Sequence, residues 1–196
     1  ECSGSGVVKS EVVGASLSVV FFFKQKTAYE MLGSLVGRSE DSGRPLTTAG
    51  LADDAVGLMD ALKIENANVL GAFMGGMVAQ EMALRHPDRV HRLILAGTYA
   101  RPDAKRRMLI QQWRELSLGG ASVEAMVRES RLWTLEDETL EQTDLIDQMI
   151  ELFIQERTPL TEEVFARQCD ACLEHDTADR LRNIHHPTLV ICGRRY

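Results

Sequence analysis

"NVLGAFMGGMVAQEMALRHPDRVHRLILAG", residues 68–97, sets one helical run between two apolar ones. "NANVLGA" (66–72) is short, apolar and flanked by turn residues, the composition of a strand buried on both faces. "GGMVAQEMALRHP" (75–87) carries Met77, Val78, Met82 and Leu84 as the apolar members of a helix, and Pro87 stops it because its ring nitrogen has no hydrogen to donate. "RVHRLILAG" (89–97) is a second strand. Strand, helix and strand at this length predict a βαβ unit, since parallel neighbours need a crossover connection, which is right-handed as a rule.

Upstream, "GRSEDSGRP" (37–45) is a loop rich in Gly, Ser and Asp. "LTTAGLADDAVGLMDALKI" (46–64) then places Leu51, Ala55, Met59 and Leu62 at helical spacing behind a Thr N-cap. Downstream, residues 99–183 show helices and no strand signal. The expected core stripes are Leu109, Trp113 and Leu116; Val123, Met126 and Val127; Ile146, Met149, Ile150 and Phe153; and Phe165, Cys169, Cys172 and Leu173. "HPTLVICG" (186–193) restores a strand, so the helical block is an insertion between strands of one sheet. Three strands are expected in all.

Residues 1–36 read differently. Val and Phe cluster there without turn chemistry or a sustained period, and "KQKTAYE" (24–30) looks like the in-frame translation of a sequencing-library adapter. The expectation is a non-native leader that stands outside the fold. Without it the strand at 66–72 has an open apolar flank, an aggregation hazard.

Composition narrows the classes. With 44% hydrophobic and 26% charged residues the chain is of the globular type. Residues 99–183 hold 11 Lys and Arg against 18 Asp and Glu, the whole of the net charge of −7. Such a surface repels a phosphate backbone, and no basic stripe interleaved with aromatics offsets it, so no nucleic-acid partner is expected. The longest apolar stretch, "SLSVVFFF" (16–23), is far short of the roughly 20 residues that span a bilayer, and no export signal is read. Cys2, Cys169, Cys172 and Cys192 lack a disulfide-framework spacing, which fits a reducing, cytoplasmic compartment. "CDAC" (169–172) lies within a helical pattern, where two small core residues are expected and neither a metal nor a redox site.

The stretch quoted first resembles the nucleophile-elbow region of the α/β-hydrolase fold family, and the likeness covers roughly residues 37–196. The family's G-x-S-x-G pattern needs small residues two before and two after the nucleophile, because strand turns into helix so sharply that larger side chains clash. Gly71 and Gly75 stand at those places, with Gly76 next. The other parts follow in order: the "GRS" loop, a helix, the elbow, "RHPDRV", a helical cap and "PTLVICG". The resemblance implies an α/β fold, a partial α/β-hydrolase parallel sheet with a helical cap inserted between strands. It divides the chain into 37–98, the core with the elbow; 99–183, the cap; and 184–196, a truncated return strand. The implied activity is cofactor-free hydrolysis of a small carboxylic ester or lactone, as in esterases, enol-lactonases and haloperoxidase-like hydrolases. There a Ser attacks the carbonyl, a His shuttles its proton, an Asp orients the His, and backbone N–H groups hold the oxyanion. The N–H of Met74 has the place of one such donor.

The chain departs from the family where the chemistry lies. Phe73 holds the nucleophile position and has no nucleophilic atom. The acid's place, three residues after Gly193, is Tyr196, and no residue of the 196 corresponds to the His. The HG-type segment that supplies the other oxyanion donor belongs before "GRS", where the leader stands. Of the five histidines, His86, His91, His185 and His186 read as surface or packing residues; His175, beside Asp176, is the one expected near a pocket. An aromatic residue in a strained turn costs on the order of 1–3 kcal/mol. Nothing else in the elbow has adapted, and Ser and Phe codons can differ by one base, which favours a recent or artefactual change. The expected function is therefore an ester or lactone hydrolase fragment that is inactive as it stands. The competing reading is a non-catalytic binding module that keeps the cap pocket for a small apolar ligand or a protein partner, with Phe73 as an added wall.

Overall fold

The computed structural model describes residues 7–12, 15–22, 45–156 and 161–193. Its sheet has five strands in the order β1 (Val7–Val12), β2 (Ala15–Phe22), β3 (Ala67–Ala72), β4 (Val90–Ala96) and β5 (Thr188–Ile191). β1 and β2 form an antiparallel hairpin, and β2 through β5 run parallel. Against the three strands expected, the described residues form five, and the flank of β3 that was expected to be open is paired with β2, Val20 opposite Val69 and Phe22 opposite Gly71. The physical reason lies in "ASLSVVFF": its branched and aromatic residues have high strand propensity.

Helix α1 (Thr48–Ala61) starts where Thr47 Oγ1 accepts the N–H of Gly50 at 2.9 Å, which satisfies one of the amides left over in the first turn. It buries Leu51, Ala55 and Met59. Leu62, expected on the same stripe, is exposed, because the helix ends at Ala61 and Lys63 turns the chain at φ 56°. Helix α2 (Met74–Arg85) lies against α1, β3 and β4, and every residue from Met74 to Ala83 is buried, Gln80 and Glu81 included. A helix enclosed on all sides must find partners for such polar groups within the protein.

β4 and β5 are hydrogen-bonded neighbours, yet the described residues between them form five α-helices, α3 (Ala104–Leu118), α4 (Val123–Thr134), α5 (Asp137–Leu140), α6 (Thr143–Glu156) and α7 (Glu162–Glu174), and a 3-10 helix over Ala178–Asn183. Asp103, Ser122 and Thr161 cap α3, α4 and α7, each accepting an N–H three residues on. α3 packs on α7 and α4 on α6. The buried face of α3 carries Ile110, Trp113 and Ser117; Leu109 and Leu116 flank it half-buried, one residue off the expected stripe. Met126, Val127, Ile146, Ile150, Phe165, Cys169 and Cys172 join the core as their spacing predicts.

Candidate functional site

At the strand-to-helix junction Phe73, like Lys63, is a described non-glycine residue at positive φ. Phe73 has φ 54° and ψ −120°, a conformation that costs an aromatic residue on the order of 1–3 kcal/mol. Three features hold it there. Phe73 donates its N–H to the Ala96 carbonyl at 3.0 Å, and its own carbonyl accepts from Gly76 N at 3.0 Å and from Thr98 Oγ1 at 2.7 Å. A Cβ on Gly71 would lie 2.3 Å from the Gly75 carbonyl oxygen, and one on Gly76 would lie 2.5 Å from Thr98 Cβ. The ring of Phe73 projects over Gly97, where a Cβ would meet ring carbon Cε1 at 3.1 Å, and packs half-buried against the core. Thr98 and Gly97 belong to this junction and went unread in the sequence, since nothing local marks a threonine that bonds across 25 positions.

Met74, next in the chain, is buried and opens α2, so its amide is one of the first-turn donors that has no acceptor within the helix. A nucleophile at 73 would have this N–H beside it. Tyr196 lies outside the described residues; Gly193, three places before it, is exposed.

His175 does not stand open in a pocket. It is 2% exposed, with Nδ1 2.9 Å from Thr48 Oγ1 and Nε2 3.4 Å from Thr177 Oγ1. Gln80 fixes the proton assignment: its Nε2 donates to the Tyr99 carbonyl at 3.1 Å, so its Oε1 faces Thr177, whose hydroxyl donates to it at 2.5 Å. Thr177 Oγ1 is then an acceptor for the His175 Nε2–H, and Nδ1 accepts from Thr48. Burial pushes the imidazole down to about 4, against the opposing pull of Glu81. Next to this chain Arg180 holds the buried Glu81 carboxylate at 3.0 and 2.5 Å. These polar groups join the exit of α7 to α1 and α2.

Cys169 and Cys172 are buried free thiols; desolvation pushes Cys169 up to about 12 and Cys172 up as well, so both stay protonated and unreactive. Burial likewise raises the Tyr99 phenol. Among the described residues no cluster of three or more His, Cys, Asp or Glu is placed to hold a metal, and no helix is long and apolar enough to cross a membrane.

A parallel sheet, a glycine-bound turn at positive φ between β3 and α2, and helices inserted before the next sheet strand define a recognisable class. The chain belongs to the α/β-hydrolase fold family, whose model matches residues 31–195 and so begins inside the segment read as a leader. It is 31% identical over 146 residues to the RutD protein of Caulobacter sp. (strain K31), named for carbamate hydrolysis, covering 74% of this chain and 54% of that one. It is 26% identical to 3-oxoadipate enol-lactonase 2 of Acinetobacter baylyi, covering 95% of this chain and 70% of that one. Among solved structures, the enol-lactonase from Burkholderia xenovorans LB400 superposes with a TM-score of 0.64 at 26% identity over 81% of this chain and 59% of its own. The chain spans about half the length of the RutD relative.

Proposed function

We propose that this chain is part of an α/β-fold hydrolase for small carboxylic esters or lactones, and that it is catalytically inert with Phe73 in place. One observation carries the reading: the junction keeps the backbone of a nucleophile elbow, at φ 54° and ψ −120°, while the side chain there is a benzyl group. Loss of a serine nucleophile costs about 10⁶ in turnover in well-studied serine hydrolases, and no Met74 oxyanion donor compensates for an attack that does not begin. Residues 37–98 act as the core in this reading, extended by the β1–β2 hairpin that pairs with β3, 99–183 as the cap over the substrate and 184–196 as the return strand, with the cytoplasm as the compartment. The names of the relatives support ester-like substrates, since carbamates and enol-lactones both present a carbonyl flanked by a heteroatom.

A second reading is favoured by the packing of the Phe73 ring on Gly97: a binding module whose pocket has gained an apolar wall. Sequencing the genomic locus separates the two, because a serine codon at 73 removes the binding module and a phenylalanine codon behind a natural N-terminus supports it. A fluorophosphonate probe, which bonds covalently to an activated hydroxyl or thiolate, tests inertness; the expected result is no labelling, and labelling overturns the proposal.

A further inference from the structure

His175 bonds across the seam between the helical block and α1, and Gln80 of α2 joins the same chain of hydrogen bonds through Thr177. We propose that His175 is an acid-sensitive fastener: neutral, it ties residues 175–181 to α1 and α2, and on taking up a second proton it lets that segment detach. The proposal is independent of what stands at position 73.

The surroundings disfavour the imidazolium, because a charge there is buried and has no carboxylate among the described residues to meet it. Both ring nitrogens are in use, Nε2 as donor to Thr177 and Nδ1 as acceptor from Thr48. A proton on Nδ1 sets donor against donor unless the Thr48 hydroxyl reverses, and it puts a full charge on a residue 2% exposed. The charged groups around it are already committed. On α2, Glu81 is held by two nitrogens of Arg180. In the segment itself, Asp176 and Asp179 both pair with Arg101 from the connection after β4, at 2.7 and 3.3 Å. α1 offers the uncharged Thr48, α7 ends in the protonated thiol of Cys172 and the exposed Glu174, and the same connection after β4 adds Tyr99, whose phenol burial keeps neutral. No carboxylate bonds the ring directly among the described residues, so burial decides, and it holds the imidazole down to about 4.

The sign follows from linkage. Detached, His175 returns to the ordinary value near 6.5. The attached state is therefore at full strength above that pH, and the attached-to-detached ratio falls about tenfold per unit as the pH drops from 6.5 towards 4.

Hydrogen exchange of the intact chain reads this directly at the amides of Thr177, which bonds the Ala100 carbonyl at 2.9 Å, and of Arg180 and Leu181, which bond the Thr177 carbonyl. Protection factors corrected for intrinsic exchange are expected to fall about tenfold per unit between pH 6.5 and 4.5. The Phe73 amide, bonded to Ala96 within the sheet, holds its protection, and His175→Gln, polar but not titratable, makes the pH profile flat. A flat wild-type profile, or the same slope in His175→Gln, overturns the proposal. Should that variant not fold, the wild-type ring decides by NMR: an Nε2–H tautomer at pH 7 that titrates below 5 supports the fastener, and titration near 6.5 or an Nδ1–H tautomer refutes it.

Discussion

At the scale of single residues, the elbow is held by what is missing from side chains as much as by what is present. Gly71 has no room for a methyl group because the obstacle is backbone, the Gly75 carbonyl at 2.3 Å from the site of a Cβ, and backbone in a first helical turn cannot step aside. Gly71→Ala is expected to cost about 3 kcal/mol, at the upper end for overpacking, measured as a lowered urea midpoint with unchanged slope. Phe73 stands out as an anomaly only against the α/β-hydrolase pattern that the ordered parts of the chain resemble, since the glycine spacing by itself is a weak signal. Its neighbours Gly97 and Thr98 were not, since a hydroxyl that reaches the Phe73 carbonyl from 25 positions away leaves no periodic trace. His175 stood out in the sequence by its position at the end of the last long helix, but its bonds to Thr48 and Thr177 place it in a seam, and the first of these spans 127 positions.

At the scale of elements, local pattern was sufficient wherever one face of a helix or strand met the core. β3, α2 and β4 lie where the 68–97 stretch places them, within a residue or two at each end. Three physical situations escape such a pattern. α5 is one turn long, too short to show a period, and α3 shares Trp113 between two possible stripes, of which packing on α7 selects the one with Ile110 and Ser117. β1 and β2 escape a sequence reading because Val and Phe cluster in their segment without turn chemistry, next to the adapter-like "KQKTAYE". An exposed position tests propensity apart from packing: Gly57 lies within α1 with open space where a Cβ would be, so Gly57→Ala is expected to stabilise by about 0.5–1 kcal/mol, read as a higher melting temperature.

At the scale of the whole molecule, the hazard of an open sheet lies at β5. Among the described residues this strand ends the sheet order, and Leu189, Val190 and Ile191 are 55, 66 and 49% exposed, so apolar side chains on both of its faces meet water. An apolar edge strand without a charge is a template for pairing between chains. The chain by itself is expected to self-associate with rising concentration, and Val190→Lys to suppress this in light scattering; a wild-type chain that stays monomeric at high concentration contradicts the expectation.

The central claim is that a hydrolase elbow is present without its nucleophile, and intact mass spectrometry of the purified chain after incubation with a fluorophosphonate tests it most directly. The unmodified mass is expected over the whole sequence, with a competent serine hydrolase labelled in parallel. A stoichiometric phosphonate adduct on any residue of the β3–α2 junction or its surroundings would contradict it.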